Sequence, residues 1–382
     1  MDITQLLAFV MQNAASDLHL SASNPPIVRV HGSLKRLKAD TLTSDAIRAM
    51  LYSIMTDEQR AEYEKNLEAD FAISFGEKAR FRVNAFTNRG GCAAVLRTIP
   101  SVIPTMEQLE LPPVMRRLCE LEKGLILVTG ATGSGKSTTL AALINYINEN
   151  TAKHILTIED PVEFFHTSKK SLVNHREVGQ DTNSFARALK SALREDPDII
   201  LVGEMRDHET IGLALTAAET GHLVFGTLHS NTAAKTIDRL IDVFPTGDKE
   251  MIRSMISSSL QAVISQQLLK KADGGGRVAA FEILMGTSAV RNLIRENQIP
   301  QLFSMMQTGS RYGMSTMEDS VKALLEKGFI SEETARLATL KSEDDTTQTS
   351  ATAGGGRIAA SLGGTMRTAP PKTASDEEGY LF

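Results

Sequence analysis

The chain has 382 residues, of which 42% are hydrophobic and 23% charged, and its formal net charge is -5. That length suits two or three domains with cores of their own, and the acidic balance argues against a protein whose main task is to neutralise a phosphate backbone. No run approaches the roughly 18 apolar residues of a membrane span, the start MDITQLLAFVMQ lacks a basic flank and does not read as a signal peptide, and two cysteines, Cys92 and Cys119, cannot form a disulfide scaffold or a four-cysteine zinc site.

Residues 1–98 read as a small α+β domain. Leu6, Leu7, Val10 and Met11 give one apolar helix face. Two short apolar runs, 27–30 and 34–37, flank His31-Gly32-Ser33 and predict a hairpin. Phe71, Ile73 and Phe75 alternate with small or polar residues, and Arg80-Phe81-Arg82-Val83-Asn84-Ala85 alternates again. A strand of period two places Phe81 and Val83 on one face and Arg80 and Arg82 on the other. The stretch 99–113 carries Pro100, Pro104, Pro112 and Pro113, resists regular structure and reads as the interdomain linker.

From residue 114 short apolar runs (125–129, 155–158, 199–202 and 223–228) alternate with helical segments (138–148, 185–194 and 233–244). Phe185, Ala188, Leu189, Ala192 and Leu193 keep helical spacing, as do Ile237, Leu240, Ile241 and Phe244. Apolar strands bounded by helices imply a parallel sheet covered on both faces. The last third reads as helix-rich, with helices over 290–295 and 317–327, the second stopped by Gly328. After residue 340 the composition falls to Ser, Thr, Ala, Gly, Asp and Glu, which predicts disorder, ending in Tyr380-Leu381-Phe382.

Four strings carry chemistry. Gly130-Ala131-Thr132-Gly133-Ser134-Gly135-Lys136-Ser137 matches the P-loop pattern in full, between an apolar strand and a helix that opens with Thr138. Its glycines let backbone N–H groups curl around phosphates, the helix start adds its positive end, Lys136 reaches the β- and γ-phosphates, and Ser137 offers a hydroxyl to Mg²⁺. Pro197 to Glu204 is an apolar strand ending in an acid, the Walker B layout, with Glu204 near Mg²⁺ and its waters; a helix-capping role for Glu204 is the alternative. Ile155 to Glu163 sets Glu159, Asp160 and Glu163 after a strand end, where one of them can orient an attacking water; a plain acidic turn before Pro161 is the alternative. Thr220 to His229 brackets an apolar strand with His222 and His229; polar residues at strand ends can sense a γ-phosphate, and a satisfied core or surface histidine is the alternative for each, while no third ligand stands at a metal-site spacing.

Together these strings resemble the secretion ATPases of the type II/type IV pilus superfamily, with 155–164 similar to its Asp box and 220–229 to its His box. Within it the chain is most similar to the retraction branch of twitching motility, over residues 1–335. That similarity includes Ala15-Ser16-Asp17-Leu18-His19-Leu20, the 80–86 strand, Arg194-Glu195-Asp196-Pro197-Asp198, and Ala289 to Glu296, which resembles a C-terminal motif tied to retraction and has Val290 where isoleucine is usual. The resemblance implies a PAS-like domain over 1–98, a linker over 99–113, a RecA-like P-loop ATPase domain with a helical C-terminal part over 114–340, and a disordered tail over 341–382. It implies a hexameric ring with Mg²⁺ and ATP between domains of neighbouring subunits. Glu163 takes the catalytic carboxylate position, Glu204 the Walker B position, and His222 and His229 the His-box positions. Arg80, Arg82 and Arg97 are candidates for the arginines that approach the phosphates, with a solvated arginine face as the alternative. The implied partners are an inner-membrane platform protein and a paralogous retraction ATPase, at the cytoplasmic base of a pilus machine, with no nucleic acid bound and no membrane insertion.

Other readings stay open. Pilus extension ATPases usually add a four-cysteine zinc motif and a longer N-terminal region, which this sequence lacks; the accessory retraction paralogue often has an extended C-terminus, as here. A nucleic-acid translocase would also use a RecA-like ring, but aromatics are only 5%, there is no Trp and no basic run interleaves with aromatics. A regulatory switch would bind ATP without turning it over.

Overall fold

The computed structural model describes residues 2–30, 32–76, 79–99 and 102–339. The expected tail over 341–382, with Tyr380-Leu381-Phe382, lies outside them, as do His31 and Pro100. The described residues form two compact units that divide at Ser101 and Val102.

The first unit runs α1 (Ile3–Gln12), β1 (Asp17–Ser21), β2 (Ile27–Val30), β3 (Ser33–Arg36), α2 (Ser44–Tyr52), α3 (Asp57–Asn66), β4 (Glu68–Phe75), β5 (Ala79–Asn88) and β6 (Gly91–Ile99). Its helices begin where the sequence supplies caps: Asp2 and Gln5 form a capping box on α1, Thr56 and Gln59 another on α3, and Thr43 accepts from the Ala46 amide on α2. The strands make one antiparallel sheet in the order β3-β2-β1-β6-β5-β4, and the hairpin pairs Val30 with Ser33. Leu6, Leu7, Val10, Leu18, Phe81 and Val83 fill its core. Met11 is only partly buried at the edge of that core.

The second unit runs α4 (Val114–Cys119), β7 (Gly124–Thr129), α5 (Lys136–Asn150), β8 (His154–Glu159), β9 (Leu172–Glu177), α6 (Phe185–Ala192), β10 (Ile199–Val202), α7 (His208–Glu219), β11 (Leu223–Leu228), α8 (Ala233–Asp242), α9 (Lys249–Ser259), β12 (Leu260–Lys270), β13 (Arg277–Met285), α10 (Ser288–Arg295), α11 (Leu302–Thr308) and α12 (Met317–Glu326). The seven-stranded sheet has the order β13-β12-β7-β11-β10-β8-β9 and is parallel except for β13. Two hydrophobic clusters cover its two faces, one reached by α6 to α9 and the other by α4 and α5. That is why β7, β10 and β11 read as continuous apolar runs and are buried along their whole length.

Three expectations change. The last third is not simply helix-rich, because β12 and β13 are two of the longest strands of the chain. β12 hides from pattern reading because its polar Ser265 and Gln266 are buried rather than facing water. Residues 102–113 do not hang free as a linker: Met106 is buried in the core of the second unit, and Leu109 and Leu111 pack on it. Finally, α6 stops at Ala192 and α8 at Asp242, leaving Leu193 exposed and Phe244 only partly buried.

Phe225 sits in the middle of the buried sheet with no exposed surface. Phe225→Ala is expected to lower the stability of the second unit by ~3–5 kcal/mol, read from the denaturant midpoint of its unfolding transition; a midpoint equal to that of the unaltered chain would contradict this packing.

Candidate active site

β7 ends at Thr129, and the chain then turns through Gly130 (φ 142°), Gly133 (φ 77°) and Gly135 (φ 89°) before α5 begins. Gly130 and Gly135 have no room for a side chain: a Cβ on Gly130 would lie 2.4 Å from the Gln266 carbonyl oxygen, and one on Gly135 would lie 2.8 Å from Gln266 Nε2. The left-handed dihedrals alone would disfavour any other residue at all three positions. Ala131, Thr132 and Gly133 are exposed at the tip of the loop, and Ser134 closes it through its amide, which donates to the Ala131 carbonyl at 3.1 Å.

α5 starts differently from its neighbours. Ser184, Asp207 and Thr232 cap α6, α7 and α8 with their side chains, whereas Gly135 gives α5 no side-chain cap. The first-turn amides of a helix have no partner within the helix, so those of Lys136, Ser137 and Thr138 add to the cradle formed by the loop. Ser134 Oγ is buried and has no hydrogen-bond partner among the described residues. A cradle of glycine backbone at a helix start is built for a phosphate chain.

Lys136 folds back on this loop. Its ammonium donates to the carbonyls of Gly130 (2.9 Å) and Ala131 (3.1 Å) and lies 3.5 Å from His229 Nδ1. Burial lowers the Lys136 pKa below its ordinary value, against the opposing pull of Glu204 and Glu163. His229, just beyond β11, places Nε2 3.1 Å from Glu204 Oε1. A neutral imidazole with its proton on Nε2 satisfies both contacts, donating to Glu204 and accepting from Lys136. Burial and the Lys136 charge accordingly hold the His229 pKa below its ordinary value, with Glu204 pulling the other way.

Glu204 is held on its other oxygen by Arg206, 2.6 Å away. Burial pushes the Glu204 pKa up, but Arg206, His229 and Lys136 outweigh it and keep the carboxylate below its ordinary range. Capping of the following helix falls to Asp207, whose carboxylate accepts from the Thr210 amide at 2.8 Å, so Glu204 remains for the site. The segment carrying Glu204 is seated tightly: the Met205 amide donates to the Thr227 carbonyl at 3.0 Å, and a Cβ on Gly203 would press on Glu159. An ionised carboxylate here and the Ser137 hydroxyl at the helix start are the oxygen donors that Mg²⁺ prefers.

Glu163 follows β8 on an exposed loop held from below by two other acids. Glu177 Oε2 accepts from the Val162 amide at 3.0 Å, and the Glu163 amide approaches Glu159 Oε2 at 3.5 Å. Burial pushes the Glu159 pKa up to about 7, with the Glu163 and Glu177 charges adding to the rise and hydrogen bonds opposing it. Glu177 and Arg206 were not singled out as site residues in the sequence, and Glu159 entered only as one of three acids that could orient a water. Glu177 and Arg206 lie outside the four strings or beside an acid that already explained them, and only tertiary contact shows what they hold.

The structure thus gathers Lys136, Glu163, Glu204 and His229 at the carboxyl edge of the sheet. It does not bring His222 there. His222 precedes β11, where its carbonyl accepts from the Gly124 amide at 3.0 Å and its Nδ1 lies 2.9 Å from the Ala217 carbonyl. A six-residue strand then separates it from the phosphate edge by about 20 Å. In a parallel sheet the two ends of one strand cannot serve the same edge, which corrects the expectation that both histidines sense the γ-phosphate.

The three arginines belong to the first unit. Arg82 pairs in register with Arg97 across β5 and β6, and Arg80 lies two residues along, so all three share the face opposite Phe81 and Val83. Arg82 holds Asp70 through two hydrogen bonds (2.6 and 3.2 Å), and Arg97 holds the buried Asp17 at 2.8 Å.

A strand order with β12, β7, β11, β10 and β8 side by side, and a phosphate loop after β7, defines a RecA-like P-loop nucleotide-binding protein. The chain belongs to the type II/IV secretion system protein family, whose model matches residues 1–303. It is 60% identical to the type IV pilus retraction ATPase PilT of Pseudomonas aeruginosa over 88% of this chain and 97% of that one. It is 39% identical to the type IV pilus ATPase PilU of the same organism, covering 88% of each. The crystal structure of the pilus retraction motor PilT with bound ADP superposes with a TM-score of 0.81 at 49% identity, covering 88% of this chain and 97% of that one. Among the described residues no helix is long and apolar enough to cross a membrane.

The half-buried Glu159 carboxyl keeps its proton up to about pH 7 in the folded chain but releases it near its ordinary 4.5 when unfolded. Between those values the folded state binds the extra proton, so this group makes stability fall as pH rises. Glu159→Gln is therefore expected to gain stability relative to the unaltered chain from pH 4.5 to 7 and to hold that gain above it; parallel pH profiles of the unfolding midpoint would contradict the assignment.

Proposed function

We propose that this chain is a subunit of a hexameric, ATP-hydrolysing motor that powers type IV pilus retraction and twitching motility. The observation that carries the chemistry is the contact series Lys136–His229–Glu204, which joins the phosphate loop, the end of β11 and the end of β10 at one edge of the sheet. The 60% identity to a pilus retraction ATPase, against 39% to PilU, supports the retraction reading over that of the accessory paralogue.

In this reading the amides from Ala131 to Thr138 other than that of Ser134, which donates to the Ala131 carbonyl, receive the β- and γ-phosphates, with Gly130 turning the backbone into the loop. Lys136 exchanges the Gly130 and Ala131 carbonyls for phosphate oxygens, a move that keeps its ammonium hydrogen-bonded throughout. Ser137 and Glu204 would hold Mg²⁺, partly through water, and the ion would supply charge neutralisation at the phosphate oxygens. Glu163, presented by Glu159 and Glu177, polarises the attacking water. His229 reports the change, because any shift of Lys136 towards nucleotide alters what its Nδ1 accepts. Arg80, Arg82 and Arg97 supply positive charge to a nucleotide between subunits, Arg82 and Arg97 through the N–H donors that Asp70 and Asp17 do not occupy. Loss of the γ-phosphate then relaxes the closed ring and makes the step. The ring acts at the cytoplasmic base of the pilus machine on an inner-membrane platform protein, alongside a paralogous retraction ATPase.

Glu163→Gln is expected to lower phosphate release by ~10²–10⁴-fold while leaving ADP affinity unchanged. Turnover equal to that of the unaltered chain would remove Glu163 from the reaction. In cells, deleting the gene is expected to abolish twitching while surface pili are kept or increased. Bald cells would assign the chain to assembly instead, and normal twitching would contradict a motor role.

A further inference from the structure

We infer that Gln266, which lies outside all four nucleotide motifs, is a positioning residue that sets the shape of the phosphate loop for ATP. β12 runs parallel to β7 with Ser265 opposite Thr129, the last residue of β7. Gln266 is therefore one step past the point where the loop leaves the sheet, and its side chain is buried beneath it. Both ends of its amide are used. Nε2 donates to the Ser134 carbonyl at 2.7 Å, and Oε1 accepts from the Thr139 hydroxyl, one turn into α5, also at 2.7 Å. No other side-chain type of this length offers one donor and one acceptor in a fixed plane.

The geometry gives these bonds a consequence for the loop. In a trans peptide the carbonyl of one residue and the N–H of the next point in opposite directions. Holding the Ser134 carbonyl against β12 therefore turns the Gly135 N–H away from β12. The same Gln266 fixes Thr139, so the loop and the first turn of α5 are set as one piece. The glycines match this arrangement from the other side, since a Cβ on Gly130 or Gly135 would collide with the Gln266 backbone oxygen or its Nε2. Preorganised amides bind a phosphate without first being ordered, so losing this clamp weakens nucleotide binding more than it slows the chemical step.

This inference rests on the reading of 130–137 as the ATP site, and the test separates the two. Nucleotide affinity, KM for ATP, kcat and the melting temperature are measured for Gln266→Met, Gln266→Glu, Thr139→Val and Lys136→Ala in the full chain. Gln266→Met keeps the length and removes both bonds; it is expected to raise the ADP dissociation constant and KM about tenfold, ~1.4 kcal/mol, with a much smaller change in kcat. Gln266→Glu keeps the acceptor for Thr139 but loses the donor to Ser134, and is expected to match or exceed that rise; it serves as the reading if the methionine variant does not fold. Thr139→Val leaves the Ser134 bond and is expected to cost less. In Thr139→Val combined with Gln266→Met the two effects are expected not to add. A lowered melting temperature with unchanged ADP affinity in whichever variant folds would mean that Gln266 is merely structural and would overturn the inference, provided Lys136→Ala has lost phosphate release. Phosphate release that survives Lys136→Ala would overturn the ATP-site reading itself.

Discussion

The backbone between Gly130 and Lys136 adopts left-handed dihedrals at three positions and then starts a helix with no side-chain cap. Such a segment is expensive to order in a free chain, because glycine gives up more conformational freedom than any other residue. It persists because the surrounding protein takes its outward groups: Lys136 binds the Gly130 and Ala131 carbonyls, and Gln266 binds that of Ser134. With those three carbonyls engaged by protein and the Ser134 amide donating to the Ala131 carbonyl, the remaining amides are what the loop presents.

The sheet does the rest of the assembly. Parallel strands share one carboxyl edge, so residues just past β7, β8, β10 and β11 meet there although they lie tens of residues apart in sequence. The strand order puts β11 between β7 and β10, which seats His229 between Lys136 and Glu204. Charge is balanced locally in the same way: Lys136 faces Glu204 and Glu163, Glu204 faces Arg206, and the neutral His229 joins the opposite charges. A further ionised acid beneath Glu204 and Glu163 would be costly, and burial leaves Glu159 protonated up to about pH 7.

The phosphate loop was legible in the sequence because its chemistry is local: glycines for the turns, a lysine and a serine at fixed spacing, a strand before and a helix after. Glu204 and Glu163 were legible for a related reason, since each follows a strand end by a few residues. His222 was misplaced by attending to the strand and not to its direction; a residue before β11 belongs to the far edge. Gln266 and Glu177 were invisible because a polar residue in a strand reads as a solvent-facing position, whereas here each is buried against a backbone group distant in sequence. The same ambiguity hid β12, and proline-rich spacing suggested a free linker where Met106 is in fact packed into a core.

The central claim is that the amides from Ala131 to Thr138 bind the phosphates of a nucleotide. Hydrogen exchange of those amides, followed by mass spectrometry with and without Mg-ADP, tests it most directly. The account predicts that nucleotide slows exchange across this segment. Unchanged exchange there, at ADP concentrations that saturate the protein by an independent binding measurement, would contradict it.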